Sequence, residues 1–215
     1  MRVRAVGVDG GAPREFAHRL LVEFAVDARG RDSSGEPRLD HDCARCGSTD
    51  HGRPRLVGTA GDRWPPVSLS RAPGLIVLAL GAPDRPGGRV GVDVEPDGAA
   101  RFASFAAFAD VVLHPGEWPP AGSWNAQECT RTWVRKEAVL KALGTGLHLD
   151  PRHLRLSGPG EAPAVLELDD PTGAPESPVA QGVRVIDLDV APGFTAALAV
   201  VEASADGSLR AFSAR

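Results

Sequence analysis

Two stretches of the sequence carry the side chains best suited to chemistry. In residues 90–96, the carboxylates Asp93 and Glu95 stand two positions apart. In the second stretch, Glu137 is followed four residues later by Lys141. Carboxylate oxygens are hard ligands that suit Mg²⁺. The residue types therefore point to a divalent-cation site.

The acids of the first stretch fall in a predicted strand. Valines alternate with Asp93 and Glu95, so both carboxylates should lie on one face and the valines on the other. Pro96 removes a ladder donor and should end the strand. Two neighbouring carboxylates repel each other and should raise one another's pKa. The alternative is a strand end that dips into water, where both acids are simply solvated.

Glu137 and Lys141 fall in a predicted helix over residues 125–143. The helix consists of good helix formers, Ser123 or Asn125 can cap its start, and the glycines that follow can close its end. Glu137 and Lys141 are one turn apart and share a face. The alternative for this pair is a solvated ion pair worth a few tenths of a kcal/mol.

The two stretches together resemble a known family. GVDVE at residues 91–95, followed further along by WVRKEAVLKALGTGL at residues 133–147, is similar to the phosphopantetheinyl transferases, in particular the Sfp type of secondary metabolism. The resemblance implies a transferase of polyketide and nonribosomal peptide biosynthesis. Such an enzyme moves the 4′-phosphopantetheine arm of coenzyme A onto a serine of an apo acyl or peptidyl carrier protein and releases 3′,5′-adenosine bisphosphate. It also implies a monomer.

The resemblance implies a role for each residue of the two stretches. Asp93, Glu95 and Glu137 would hold Mg²⁺, with Mn²⁺ as its substitute. Glu137 would also act as the base for the incoming serine. Lys141 would neutralise or protonate the leaving phosphate, and Lys136 would contact a phosphate of coenzyme A.

The expected coenzyme-binding residues lie in the first half of the chain. Arg53-Pro54 matches the Lys/Arg-Pro pair that the family places near the nucleotide. Ser70-Arg71-Ala72 stands where the family has a Ser-His-Ser segment that approaches the 3′-phosphate of coenzyme A. The arginine fork suits phosphate, whereas the missing serine hydroxyl removes one hydrogen bond worth about 1 kcal/mol. The alternative is that Arg53 and Arg71 are solvated surface arginines.

The resemblance implies an α/β fold of the α+β type. Two similar subdomains, residues 1–88 and 89–215, would be related by a pseudo-twofold, each a small, largely antiparallel sheet with packed helices. A Gly- and Pro-rich linker is predicted at residues 81–89. Apolar patterns and turn residues predict the remaining elements: strands at 2–8, 67–70, 75–80, 153–157, 164–168, 183–189 and 194–201, helices at 15–26 and 101–109, a surface loop at 27–42, and a tail at 202–215.

A Cys- and His-containing segment invites a second chemical interpretation. Cys43, Cys46 and His51 have residue types that bind zinc, but a structural site needs a fourth ligand, which His41 or Asp42 would have to supply. The resemblance offers another account, because many bacterial members of the family have a similar CxxCG…HGRP segment that leads into a coenzyme-binding loop. A loop of thiols without metal is the favoured interpretation.

Composition excludes several classes of protein. The net charge of −4 argues against a general nucleic-acid binder, which needs a basic footprint. No apolar run reaches the length of a membrane span. The odd number of cysteines, 3, indicates a reducing compartment such as the cytoplasm. One rival function stays open, namely a coenzyme A- or carrier-binding module that has lost turnover.

Overall fold

The computed structural model shows a mixed α/β protein, as the sequence predicts. The structure describes residues 1–30, 35–43, 46–59, 62–82, 88–119, 122–169 and 182–201. Its α-helices in this part of the chain are α1 (Arg14–Arg29), α2 (Phe105–Val112) and α3 (Ala126–Leu143). Its strands are β1 (Arg2–Gly7), β2 (Arg38–Asp42), β3 (Arg53–Val57), β4 (Val67–Ala72), β5 (Leu75–Leu80), β6 (Arg89–Pro96), β7 (Leu154–Leu156), β8 (Val165–Leu168), β9 (Val183–Leu188) and β10 (Phe194–Val201).

The sheets repeat one topology along the chain. One three-stranded sheet has the order β1-β5-β4 and the other has the order β6-β10-β9. In each, the first strand of the group pairs with the last, and every pairing is antiparallel. In both groups a two-stranded ladder comes after the last helix of the group and before the last two strands along the chain. This ladder is β2-β3 in the first group and β7-β8 in the second. This repetition supports the prediction of two similar halves; the boundary between residues 88 and 89 stays a prediction.

Helices and sheets pack in layers. The apolar face of α1 packs against one face of β5, where Ile76, Leu78 and Leu80 are buried. The opposite face of β5 packs against the valines of β6 and part of β10. The far side of β10 contacts α3 through Ala197 and Ala199. The two sheets therefore pack face to face between α1 and α3. Burial of each Val, Leu or Ile side chain in these layers stabilises the fold by about 1.5–3 kcal/mol.

A close contact between β6 and α3 fixes the distance between the two elements that carry the candidate site. Gly91 of β6 lies directly under the helix, and a Cβ added to it would overlap the carbonyl oxygen of Ala138 and the amide nitrogen of Ala142. Both are backbone atoms that cannot turn aside. Glycine therefore lets α3 approach β6 closely enough for Asp93, two residues further on, to meet the helix.

The ends of α3 follow its sequence signals. Asn125 accepts a hydrogen bond from the amide of Glu128 at 3.0 Å, and the Glu128 carboxylate accepts one from the amide of Asn125 at 2.8 Å. This capping box satisfies two N-terminal donors, so Asn125 rather than Ser123 is the cap. Gly144 ends the helix with a φ of 80°, a conformation that glycine adopts without strain. No described helix is long and apolar enough to span a membrane.

Three predicted elements need correction. The loop predicted at 27–42 is wrong at both ends, because α1 continues to Arg29 and β2 begins at Arg38. The strand predicted at 67–70 is too short, because Arg71 and Ala72 also pair with β5 and belong to β4. The helix predicted at 101–109 is broken: a 3-10 turn covers Ala100–Phe102, and α2 starts after Ser104, which caps it.

Some predictions fall partly or wholly outside the described residues. Within the predicted linker, residues 83–87 are outside, whereas Arg89 already belongs to β6. The predicted tail at 202–215 is also outside. The remaining predicted strands are present within a few residues of their expected bounds.

Candidate active site

The centre of the candidate site is a hydrogen-bonded group around Asp93. Its Oδ1 atom accepts from Lys141 Nζ at 2.7 Å and from Ser70 Oγ at 2.7 Å. Lys141 also donates to the carbonyl oxygen of Val92 at 3.2 Å. The other carboxylate oxygen, Oδ2, is buried and has no hydrogen-bond partner among the described residues. A buried carboxylate oxygen left unsatisfied is costly, so this atom can accept a hydrogen bond or bind a cation.

The position of Ser70 follows from the contact between β4 and β6. Ser68 Oγ accepts a hydrogen bond from the amide of Val92 at 3.1 Å. Two residues along the same face of β4, Ser70 donates to Asp93. Alternate residues of a strand share a face, so the two serines fasten β4 to β6 and bring Ser70 to the carboxylate.

Glu137 joins the site from α3. Its Oε2 atom lies 4.0 Å from Lys141 Nζ, and its side chain is 12% exposed. Burial raises the pKa of Glu137, the Lys141 ammonium opposes this, and the charges of Asp93 and Glu95 add to the increase. The ammonium of Lys141 therefore interacts with three acids, two on β6 and one on α3. This arrangement differs from the solvated Glu137–Lys141 ion pair considered as the alternative.

Glu95 is held by an arginine that the sequence did not single out. Arg101, in the turn after β6, forms a hydrogen-bonded ion pair with Glu95 Oε1. Burial raises the pKa of Glu95, Arg101 opposes the increase, and the charge of Asp93 adds to it. The sequence offers only a weak signal for this pair, namely a basic residue shortly after the strand.

The three acids have the oxygen ligands that suit a divalent cation, although their carboxylates are not gathered closely around one position. Asp93, Glu95 and Glu137 provide hard oxygen donors of the type that Mg²⁺ prefers, and Asp93 Oδ2 has no hydrogen-bond partner in the part of the chain that the structure describes. Among the described residues, the groups of three potential ligands within 4.8 Å of one another are found elsewhere, and these three acids do not form such a group.

Two arginines meet at the C-terminal end of α3. Arg89 donates to the carbonyl oxygen of Leu143 at 2.8 Å, and the side chain of Arg53 lies beside Gly144. Burial lowers the pKa of Arg53, the nearby charge of Arg89 lowers it further, and Asp42 opposes both. Arg53 is thus half-buried beside a second cation, so an anion that binds between the two arginines would be stabilised. Arg53 is therefore not the solvated surface arginine considered as the alternative.

Arg71 lies away from the Asp93 group. It follows Ser70 on β4 and therefore points to the other face of the strand. Its guanidinium is exposed and donates to the carbonyl oxygen of Ala12 at 2.9 Å. The structure brings Ser70 to the carboxylates and directs Arg71 towards the start of α1.

Lys136 has partners quite different from the phosphate predicted for it. Its side chain is fully buried, and Nζ donates to the carbonyl oxygens of Val112, Pro151 and Leu154 at 2.8, 2.9 and 2.5 Å. The same atom lies 2.6 Å from Glu117 Oε2. Burial lowers the pKa of Lys136, whereas Glu117 opposes this shift. These contacts describe an internal anchor, which the sequence could not distinguish from a phosphate ligand.

The fold and this site together define a mixed α/β protein in which an acidic strand faces a lysine-bearing helix. Residues 89–178 match the family model described as ACPS, the 4′-phosphopantetheinyl transferase superfamily. The matched segment contains all of β6 and α3 and so carries the three acids and Lys141. Members of this superfamily are transferases that act on coenzyme A and carrier proteins. No curated protein matches the chain.

Proposed function

We propose that this protein is a phosphopantetheinyl transferase of the Sfp type. It transfers the 4′-phosphopantetheine arm of coenzyme A to a serine hydroxyl of an apo acyl or peptidyl carrier protein of secondary metabolism. The observation that carries the proposal is the contact between Lys141 and Asp93 within the matched segment. The second Asp93 oxygen is buried and has no hydrogen-bond partner among the residues described.

The proposed reaction is a phosphoryl-type displacement. The serine oxygen of the carrier attacks the β-phosphorus of coenzyme A, the bond from that phosphorus to the bridging oxygen breaks, and 3′,5′-adenosine bisphosphate leaves. Glu137 accepts the serine proton. Lys141 stands one turn further along α3, where its ammonium neutralises the charge on the leaving phosphate.

Asp93, Glu95 and Glu137 would hold Mg²⁺, with Mn²⁺ as a substitute. The bound cation would supply charge neutralisation at the pyrophosphate. Ser70 and Lys141 orient Asp93 by sharing its Oδ1 atom, which leaves Oδ2 for the cation.

The coenzyme would reach the carboxylates from the arginine side of α3. Arg53 and Arg89 lie at the end of this helix, where their charges suit the adenosine phosphates. Arg71 is exposed on the face of β4 opposite to Ser70. It would contact the 3′-phosphate only if that phosphate lay on the α1 side of the strand. Lys136 is proposed to act indirectly, by holding α3 in place.

The test is to incubate the purified protein with coenzyme A, Mg²⁺ and several apo carrier proteins and to weigh each carrier by mass spectrometry. The proposal expects one carrier to gain one phosphopantetheine group, and Glu137→Gln to abolish the gain. Glu23→Gln, an exposed change on α1, is the matched control and should behave as the unaltered protein. Coenzyme A that binds without any carrier gaining mass would instead identify a non-catalytic binding module.

A further inference from the structure

The loop between β2 and β3 gathers three side chains that the proposed transfer reaction does not use. The ligand atoms of Cys43, Cys46 and His51 all lie within 4.8 Å of one another, and Cys46 Sγ is 3.4 Å from His51 Nε2. We propose that this loop binds Zn²⁺ through the two thiolates and the imidazole, with a fourth position open to water or an external donor.

Backbone hydrogen bonds hold Cys43 next to the residues that follow Cys46. The amide of Gly47 donates to the carbonyl oxygen of Cys43 at 2.8 Å, and the amide of Cys43 donates to the carbonyl oxygen of Ser48 at 3.2 Å. Gly47 has a φ of 68°, so glycine directly after Cys46 lets the chain turn back without strain. These contacts, which involve no metal, therefore hold Cys43 and Cys46 near each other.

The histidine side is fixed by a second glycine. Gly52 has a φ of 105°, and a Cβ at this position would overlap the carbonyl oxygen of Asp42 and lie 2.7 Å from the Cα of Cys43. Only a residue without a side chain allows this approach. Asp42 also pairs in register with Arg53 at the end of the hairpin. His51, next to Gly52, is thereby held close to Cys43 by the packing of the backbone.

The ligand chemistry selects zinc rather than the cation proposed for the carboxylate site. Thiolate and imidazole ligands are soft or intermediate and suit Zn²⁺, whereas Mg²⁺ prefers oxygen. Binding releases the thiol protons to solvent as two Zn–S bonds and one Zn–N bond form, and no electrons are transferred. Cys43 is buried, but Cys46 and His51 are exposed, so the fourth position faces water.

Neither of the two residues considered as a fourth ligand from sequence belongs to this group. His41 Nε2 lies 3.1 Å from the guanidinium of Arg14, and its ring is also near His18. Asp42 shares the hairpin with Cys43, but its carboxylate is not one of the clustered ligand atoms. The described residues thus provide three ligands, the number found in zinc sites that keep an exchangeable position.

The test measures metal in the full-length protein, produced with added zinc and purified without chelator. Elemental analysis should give about one zinc ion per chain. Cys46→Ser and His51→Ala should each weaken zinc binding at least about tenfold in competition with a chromogenic chelator. Cys129→Ala and His148→Ala change the same residue types outside the loop, and should leave zinc binding unchanged.

Cobalt substitution gives a second readout that does not depend on transferase activity. Co²⁺ in this site should produce thiolate-to-metal charge-transfer absorption, which Cys46→Ser should weaken and Cys129→Ala should retain. His51→Gln tests the imidazole with less change in volume, and circular dichroism verifies that each variant is folded. Zinc contents near zero, both after purification and after adding Zn²⁺ to the reduced protein, would overturn the proposal. The proposal would also be overturned if the Cys46 and His51 variants bound zinc as tightly as the unaltered protein.

Discussion

The ammonium of Lys141 lies 2.7 Å from Oδ1 of Asp93, so the last turn of α3 is joined to the middle of β6. The Asp93 side chain is 6% exposed and that of Lys141 is 29% exposed. Such a shielded pair must offset a desolvation cost through good geometry and additional hydrogen bonds, and Ser70 provides one of these. The pair holds the acid and the lysine of the proposed mechanism in a fixed relation before any substrate arrives.

Removing the charge of Asp93 should therefore impair the transfer reaction more than the fold. In Asp93→Asn, the side chain keeps its shape but loses the negative charge that would hold a cation and that pairs with Lys141. We expect kcat to fall by at least about 100-fold, measured as the rate at which an apo carrier gains mass. Glu23→Gln is the control on an exposed helix face. A rate within about threefold of the unaltered protein would exclude Asp93 from the catalytic site.

The approach of α3 to β6 predicts an unusual cost for adding one methyl group. Gly91→Ala should lower the free energy of unfolding by about 1–3 kcal/mol, because the new Cβ meets backbone atoms of Ala138 and Ala142. Urea unfolding measures the change. Gly7→Ala is the matched control, since Gly7 also lies in a strand and a Cβ there meets nothing within 4 Å. Equal stability of the two variants would contradict the close contact.

Most of the fold could be predicted from sequence because its strands contain buried, β-branched residues. β5 is buried along its whole length, and β6 combines valines with acids. β2 and β3 gave no such signal. Their sequences, RLDHD and RPRLV, lack apolar alternation, and each strand is stabilised by pairing with the other. Pairing between distant segments cannot be deduced from local patterns.

For the candidate site, residue type and spacing single out the three acids and Lys141 as candidates, but they do not predict the partners of these residues. The hydrogen bond from Ser70 to Asp93 and the ion pair of Arg101 with Glu95 connect separate elements. Lys136 and Lys141 are five residues apart, so they point to different sides of α3. Only the packing of the helix shows that Lys136 faces the interior and Lys141 faces the carboxylates.

Replacing Lys136 should destabilise the protein without changing its affinity for coenzyme A. Lys136→Met leaves Glu117 buried without its cation and three carbonyl oxygens without their donor. Breaking a buried pair from one side costs about 3–5 kcal/mol, which thermal or urea unfolding would detect. Below its unfolding temperature, the variant should keep the KM for coenzyme A. Normal stability with an increased KM would instead support the phosphate contact predicted from sequence.

An exposed ion pair should produce a small dependence of stability on pH. The side-chain hydrogen bond from Arg152 lowers the pKa of Asp150 to about 2, helped by the Arg152 amide and charge. Because the folded pKa lies below the ordinary aspartate pKa of about 3.9, the stabilisation is complete above that ordinary value and is lost as pH falls towards 2.

The variant Asp150→Asn tests this dependence. It should be less stable than the unaltered protein at pH 6, by no more than about 1 kcal/mol because the pair is largely exposed. The difference should shrink as the pH is lowered below 4, as measured by urea unfolding at a series of pH values. A difference that grows under acid would contradict the direction of the pKa shift.

The thiols of the chain should differ in reactivity because burial acts on only some of them. Burial and the charge of Glu128 raise the pKa of Cys129 to about 11, so on the order of one molecule in a thousand carries this thiolate at pH 8. Cys46 is exposed. In the metal-free, reduced protein, iodoacetamide should therefore label Cys46 first and leave Cys129 intact until the protein unfolds, as peptide mass spectrometry would show. Added Zn²⁺ should slow labelling of Cys46 and leave Cys129 unaffected, because Cys46 belongs to the proposed zinc-binding loop and Cys129 does not. Equal labelling rates for the two thiols in the folded protein would show that the core around α3 opens to solvent.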